Sequence, residues 1–178
     1  STLNSMRFSP SLVFLLLLLP VLQAGEHYDY FLTGAANDVS SRTESGFALI
    51  GGGRDIEEPF RWMIRKSGGG DLVVIRAAGA AGYNDFIFKL GGVDSVETLV
   101  IKTPEGARDP FVLDKIRKAE ALFIAGGDQW NYVRLWRGGP VGSAIQDLID
   151  RGVPVGGTSA GLAILAEFYF SAEHDTVK

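Results

Sequence analysis

Short apolar runs alternate along the chain with segments that have apolar residues at helical spacing. Residues 72–75 and 121–125 are continuously apolar, as expected for strands that are buried on both faces. In residues 57–66, by contrast, the apolar side chains recur every three to four positions. Strands are predicted at 28–33, 47–50, 72–75, 96–101, 121–125 and 153–155. Helices are predicted at 57–66, 83–90, 109–119, 130–136, 141–150 and 162–168.

Glycine-rich or small-residue segments follow four of the predicted strands. They are residues 51–53, 77–82, 126–129 and 157–161. Strands that alternate with helices predict an α/β fold with a parallel sheet covered on both faces. Because ligands bind at the carboxyl ends of the strands in such sheets, these segments are predicted to surround a functional site.

The segment Gly157-Thr158-Ser159-Ala160-Gly161 has the GxSxG pattern of a nucleophile elbow. It lies between an apolar run and a helix-compatible stretch, which is the strand–turn–helix setting that the elbow requires. A serine hydroxyl becomes a useful nucleophile when a sharp turn exposes it beside a base. Ser159 is therefore the predicted nucleophile. The other interpretation is a glycine-rich turn in which the serine caps a helix.

Backbone N–H groups near Ser159 could hold an oxyanion. The N–H of Ala160 follows the nucleophile directly, and Gly127 can approach a reacting carbonyl closely because it has no side chain. Asp128 and Gln129 could contact the substrate, and Asp128 could instead cap the next helix. A phosphate cradle at residues 51–53 is the alternative use of a glycine loop, but the lysine-threonine continuation of a P-loop is missing.

The general base is not evident from the sequence. His27 and His174 are the two histidines of the chain, and His174 stands in a polar stretch typical of a surface loop. Arg76 and residues 83–85 are further candidates for the cleft. The aromatic residues after the second glycine pair are interpreted as core or cleft walls: Trp130, Tyr132 and Trp136.

Composition narrows the function further. The chain has 178 residues and a net charge of −4 without a basic run, which suits one domain and argues against nucleic-acid binding. It contains no cysteine, so disulfides, thiolate metal sites and a cysteine nucleophile are excluded. Two distant histidines do not suggest a zinc site, and no metal site is predicted.

The N-terminal segment has the order of a secretory signal peptide. Met6-Arg7 supplies a start and a positive charge, residues 12–19 are apolar, and Pro20 ends the run. Cleavage is predicted near Ala24, so residues 1–24 are assigned to upstream and signal sequence and 25–178 to the domain. The apolar run is too short for a stable membrane span. Export is therefore predicted, with a buried N-terminal helix as the alternative, and the domain is expected to be incomplete at its C-terminus.

Three segments together resemble cyanophycinase-like serine peptidases, the family that also contains dipeptidase E. They are IRAAGAAGYND from Ile75, FIAGGDQWNYV from Phe123 and RGVPVGGTSAGLAIL from Arg151. The resemblance extends over roughly residues 28–177. It implies a flavodoxin-like three-layer sandwich with a mostly parallel sheet, similar to class I glutamine amidotransferases. Those enzymes use a cysteine nucleophile, so the serine here disfavours amide transfer.

The resemblance also implies an activity and a site. Members of the family cleave peptide bonds adjoining aspartate, either in the aspartate–arginine polymer cyanophycin or in aspartyl dipeptides. Ser159 is implied as nucleophile, Gly127 and Ala160 as oxyanion donors and Gln129 as a substrate-pocket residue. No metal or organic cofactor is implied, and the partner is a peptide or aspartate-rich polymer. The oligomeric state stays open.

The catalytic histidine of the family belongs to a motif downstream of the elbow, and no match to it precedes Lys178. Glu173 and Asp175 are only nearby carboxylates. A catalytically silent secreted binding domain is therefore the second hypothesis. An α/β-hydrolase esterase shares GxSxG but is disfavoured, because no HGGG-type oxyanion motif is present.

Overall fold

Residues 21–174 are described by a computed structural model of the protein, and they form a single mixed sheet with helices on both sides. The strands are β1 (Val21–Ala24), β2 (Tyr28–Gly34), β3 (Phe47–Ile50), β4 (Leu72–Arg76), β5 (Ser95–Ile101), β6 (Ala121–Ile124) and β7 (Val155–Thr158). The helices are α1 (Glu57–Lys66), α2 (Gly82–Lys89), α3 (Pro110–Lys118), α4 (Gln129–Trp136), α5 (Pro140–Asp150) and α6 (Ala160–Ala163), with a 3₁₀ turn at Gly106–Arg108. Within the described residues, no helix has the length and apolar character that crossing a membrane requires.

The strands lie in the order β1-β2-β5-β4-β6-β7-β3. From β5 to β3 all neighbouring strands are parallel, whereas β2 pairs antiparallel with β5 and β1 pairs antiparallel with β2. The predicted α/β sandwich with a mostly parallel sheet is confirmed. The six strands and the first five helices predicted from the sequence are all present, and most of their ends agree to within a residue or two.

Two apolar cores separate the sheet from its two helical layers. Successive side chains of a strand point to opposite faces, so each buried strand contributes to both cores. The core on the α3–α5 side contains Ile75, Ile116, Ile124, Leu148 and Val155. The core on the α1–α2 side contains Phe60, Met63, Val74, Ile87 and Phe123.

The chain changes direction across the sheet between β4 and β6. The next strand after β4, β5, lies on one side of β4 in the sheet, and the strand after that, β6, lies on the opposite side of β4. The carboxyl ends of β4 and β6 therefore border a switch point, where ligands bind in open α/β sheets. The four glycine-rich or small-residue segments lie at this edge, as predicted, because each follows a strand of the parallel set.

Strand β7 continues beyond the end that the sequence predicts. The prediction stops at Val155, because two glycines with low strand propensity follow. Both glycines are required by packing: a Cβ on Gly156 would lie 2.7 Å from Sδ of Met63, and one on Gly157 would lie 2.4 Å from the carbonyl oxygen of Gly161. The backbone of β7 therefore continues to pair with β3 and β6 through these two glycines, because the surrounding atoms leave no room for a side chain.

The predicted helix over residues 162–168 is wrong. Helix α6 ends at Ala163, and the following turn tightens, since the N–H of Leu165 donates to the carbonyl of Leu162 three residues earlier. Phe168 is 86% exposed. The apolar character of this run is therefore not matched by the burial that stabilises most helices in proteins.

The predicted signal segment falls mostly on residues 1–20, which lie outside the described residues. Strand β1 overlaps its last part, and Ala24 pairs with Asp29 of β2. Cleavage after Ala24 would remove this strand from the edge of the sheet. The domain boundary at residue 25 stays a prediction.

The contribution of Glu120 to stability is expected to fall as the pH rises from about 4.5 to about 6. Burial raises the pKa of Glu120, which accepts a hydrogen bond from the N–H of Asp71 at 2.9 Å, from 4.5 to about 6. A carboxyl whose pKa is higher in the folded state than in the unfolded state binds its proton more tightly when folded. Its stabilising contribution is complete below pH 4.5 and is lost as the pH passes through about 6.

Glu120→Gln should remove this part of the pH dependence, because its amide oxygen can still accept the bond without titrating. The measurement is the free energy of unfolding in urea at several pH values for both proteins. Burial also raises the pKa of Glu97. Because both proteins contain Glu97, its effect cancels when their free energies of unfolding are subtracted. A difference between them that does not vary with pH would contradict this assignment.

Candidate active site

Ser159 occupies a strained turn between β7 and α6. Its φ is +51° and its ψ is −118°, a conformation that side-chain-bearing residues rarely adopt. The turn is held on both sides, because the N–H of Ser159 donates to the carbonyl of Ile50 at 3.1 Å and its own carbonyl accepts from Ala163 at 3.0 Å. Ser159 is exposed, as a nucleophile elbow requires.

Glycines allow two neighbouring loops to close around Ser159. A Cβ on Gly126 would lie 3.4 Å from Cβ of Ser159, and one on Gly52 would lie 3.5 Å from its Oγ. Gly161 packs so closely against β6 that a Cβ there would lie 2.1 Å from the carbonyl oxygen of Ile124. The loops after β6 and β3 therefore form the walls on either side of the hydroxyl group.

The predicted site residues line one open cavity of about 590 Å³. The residues around it are Gly127, Asp128, Gln129, Trp130, Ser159, Ala160, Phe170 and Ala172. The cavity thus brings together the predicted nucleophile, the two predicted oxyanion donors and the two predicted substrate residues. Sequence positions about thirty residues apart are brought together because β6 and β7 are adjacent and parallel.

The described part of the backbone does not use the N–H groups of the two predicted oxyanion donors. Among the described residues, the N–H groups of Gly127 and Ala160 have no hydrogen-bond acceptor. Free N–H groups beside an exposed serine are the chemistry that stabilises a tetrahedral oxyanion. Their assignment as oxyanion donors stays a prediction.

Asp128 caps helix α4. Its Oδ1 accepts from the N–H of Trp130 at 3.0 Å, and its Oδ2 accepts from Nδ2 of Asn131 at 3.0 Å. The Nε2 of Gln129 donates to the carbonyl of Phe170. Both side chains are thus held at the cavity wall, and a contact from either to the substrate stays a prediction.

Asp128→Ala is expected to lower the free energy of unfolding by about 1 kcal/mol, because the α4 N-terminus loses its side-chain acceptor. Asp128→Asn keeps an oxygen in the same place and should stay much closer to the wild type. Urea unfolding of the three proteins measures the effect. Equal stability of the Ala variant and the wild type would show that the cap contributes nothing.

Sequence reasoning missed two side-chain contacts that shape the site, although it correctly placed Tyr132 in the core or cleft wall. Thr158 is buried, and its Oγ1 donates to the carbonyl of Gly51 at 3.2 Å, which ties β7 to the glycine loop after β3. Tyr132 is buried, and its hydroxyl lies 2.9 Å from the carbonyl of Ala125 and 3.1 Å from that of Gly126. The three consecutive glycines at residues 51–53 could have indicated the contact with Thr158. No sequence feature near Tyr132 indicates the contacts of its hydroxyl group.

The other cleft candidates do not line the Ser159 cavity. Arg76 donates to the carbonyls of Ala78 and Ala80 and so organises its own loop. Asn84 is buried and donates to the carbonyl of Val96 at 3.0 Å, which makes it part of the connection between α2 and β5. These two residues support the fold near the cleft.

Neither described histidine lines the Ser159 cavity. His27 is exposed, with Nδ1 3.1 Å from Oγ1 of Thr103. It precedes β2, which lies four strand spacings from β7, or about 19 Å across the sheet. His174 is exposed and is absent from the residues around the cavity. The expected surface position of His174 agrees with the structure.

The comparison with protein families decides the classification. A model of peptidase family S51 matches residues 81–177, which are more than half of the chain and include both Gly127 and Ser159. The chain belongs to peptidase family S51. The resemblance to cyanophycinase-like serine peptidases is thereby confirmed, and the GGDQ and GTSAG segments of this S51 chain fall within the matched region.

Solved structures give the same fold. The S51 chain is similar to the crystal structure of a peptidase from an acI-B1 Actinobacterium, with a TM-score of 0.57 and 17% sequence identity. The match covers 72% of this chain and 59% of that peptidase, so the S51 chain spans about three fifths of its length. A comparison with curated proteins gives no significant match.

Proposed function

We propose that this S51 chain carries the nucleophile and oxyanion site of an exported serine peptidase that hydrolyses aspartyl peptide bonds through an acyl-enzyme on Ser159. The observation that supports it best is the strained, exposed Ser159 with φ of +51°, in one cavity with Gly127 and Ala160. A strained backbone at an exposed nucleophile is typical of active sites, since ordinary turns avoid its cost of about 1–3 kcal/mol.

The reaction uses these groups in sequence. Oγ of Ser159 bonds to the carbonyl carbon of the substrate, while a general base removes the hydroxyl proton. The carbonyl oxygen becomes an oxyanion, to which the N–H groups of Gly127 and Ala160 donate. The carbon–nitrogen bond then breaks, the leaving amine takes the proton from the base, and water cleaves the resulting ester. None of these steps calls for a metal or an organic cofactor.

The aspartyl preference and the export are the finer parts of the proposal. The preference is supported by the paired GGDQ and GTSAG segments, which resemble those of peptidases acting next to aspartate. Export is supported by the order of charge, apolar run and proline in residues 6–20. An exported enzyme of this kind would act on an extracellular peptide or an aspartate–arginine polymer.

A substrate panel tests the proposal. The protein is incubated with dipeptides that carry N-terminal aspartate, with the matched asparagine dipeptides, and with the aspartate–arginine polymer, and products are identified by mass spectrometry. We expect release from an aspartyl substrate and little from its asparagine counterpart, because asparagine replaces the carboxylate with a neutral amide of nearly the same size. Equal turnover of the pair would overturn the aspartyl preference.

A catalytically silent binding domain is the second candidate. The observation that favours it is that neither described histidine lines the Ser159 cavity. Calorimetric binding of an aspartyl dipeptide without any turnover would support this candidate over the peptidase. Turnover that depends on Ser159 would exclude it.

A further inference from the structure

The hydroxyl of Tyr132 contacts the loop that carries the oxyanion donor Gly127. Tyr132 is 1% exposed, and its ring stacks on Trp136 with 4.3 Å between ring centroids and 8° between planes. Helix α4 begins directly after this loop, so Tyr132 is placed beneath it by the first turn of the helix. The hydroxyl lies 3.1 Å from the carbonyl oxygen of Gly126 and 2.9 Å from that of Ala125.

The carbonyl that Tyr132 contacts is linked to the Gly127 N–H through one peptide bond. The carbonyl of Gly126 and the N–H of Gly127 belong to one peptide plane, and in a trans peptide they point in opposite directions. The described residues contain no cis peptide bond. Because the Gly126 carbonyl faces the buried hydroxyl, the Gly127 N–H points away from it, and Gly127 itself borders the Ser159 cavity.

Two further observations agree with a support role. A Cβ on Gly127 would lie 2.7 Å from Oη of Tyr132, so the phenol packs directly against this glycine. Burial raises the pKa of Tyr132 to about 12, although the charge of Arg76 opposes the rise. The hydroxyl therefore keeps its proton, and with it the ability to donate, across the physiological range.

We propose that Tyr132 is a positioning residue, which directs the Gly127 N–H toward the oxyanion site by sharing its one hydroxyl proton between the carbonyls of Ala125 and Gly126. The inference rests on the proposed function for its catalytic meaning. An oxyanion donor must lie about 3 Å from the developing charge, and a glycine-rich loop does not hold such a direction without help. Tyr132 supplies that help without touching the substrate.

The test compares Tyr132→Phe with Tyr30→Phe. Both variants remove a buried phenol hydroxyl from the same apolar core, but Tyr30 lies on β2, away from the site. The first measurement is the backbone amide spectrum of the folded proteins. We expect Tyr132→Phe to shift the Gly127 amide resonance, because the peptide plane between Gly126 and Gly127 loses its hydrogen bond. Tyr30→Phe should leave that resonance unchanged, although either variant should lose a few degrees of Tm.

The second measurement is the reaction with a fluorophosphonate, in which the bond from Oγ of Ser159 to phosphorus forms, fluoride leaves and the base takes the proton. Loss of a whole oxyanion donor costs on the order of 10²–10³ in rate, so a misdirected donor should slow the maximal labelling rate about 10- to 100-fold. The concentration for half-maximal labelling should not change. Labelling of Tyr30→Phe should match the wild type.

The two measurements separate the possible failures. An unchanged Gly127 amide in Tyr132→Phe would overturn the positioning role, whatever the labelling shows. Unchanged maximal labelling in that variant, with a labelled wild type, would overturn it too. A wild type that is not labelled would contradict the proposed peptidase instead. In that case a Gly127 amide that changes in Tyr132→Phe alone would still support the structural part of the inference.

Discussion

Replacing Ser159 with alanine is expected to lower kcat for aspartyl substrates on the order of 10⁶-fold, to the level of the reaction without a nucleophile. The reason is that the base and the oxyanion donors act on a reaction that begins with the Ser159 hydroxyl. The strained backbone of the turn does not depend on that hydroxyl, since its bonds run through the N–H and the carbonyl of Ser159. The variant should therefore fold and fail to turn over.

Ser143→Ala is the matched control. Ser143 is also exposed and lies near the start of a helix, with its Oγ 3.3 Å from the carbonyl of Gly139. It is not among the residues around the Ser159 cavity, so kcat should stay at the wild-type value. Hydrolysis by Ser159→Ala at the wild-type rate would remove Ser159 from the mechanism.

Replacing Gly161 with alanine is expected to lower the free energy of unfolding by about 3 kcal/mol or more, and to abolish activity as well. The new Cβ would lie 2.1 Å from the carbonyl oxygen of Ile124 and 2.8 Å from that of Ala125. Both atoms belong to backbone in or directly after the central strand β6, which cannot move aside as a flexible side chain can. Helix α6 must shift instead, and Ser159 shifts with it.

Gly82→Ala provides the control for the added methyl group. Gly82 is the first residue of α2, and a Cβ there meets no atom within 4 Å. Its stability should be unchanged or raised by up to about 1 kcal/mol, because alanine favours helices. Urea unfolding of the three proteins decides the question. A Gly161→Ala variant as stable as Gly82→Ala would show that the elbow does not pack on β6 as described.

The sequence predicts most of the fold because local and global signals agree. Helix α1 is bounded as predicted, since Phe60, Met63 and Ile64 occupy one face and all three are buried. The cap at Asp128 is also readable, because an aspartate directly before an apolar-periodic segment is a common helix start. By contrast, nothing local shows that β2 pairs antiparallel with β5, since strand direction follows from the path of the whole chain.

The site is predicted less completely than the fold. Ser159, Gly127 and Ala160 belong to motifs with a chemical reason for each residue type, and the structure brings them together. The hydroxyl of Tyr132 is a different case, because its partners become visible only when α4 folds back beneath the loop that follows β6. The extent of β7 depends in the same way on Met63 and other residues distant in the sequence.

The intact mass of the protein after treatment with a fluorophosphonate tests most directly whether Ser159 is an activated nucleophile. We expect one adduct per chain in the wild type and none in Ser159→Ala, since only an activated serine in an oxyanion site reacts readily. Peptide mapping should place the adduct on Ser159. A folded wild-type protein that gains no mass, or an adduct that persists in Ser159→Ala, would contradict the assignment of Ser159 as the nucleophile of a serine peptidase.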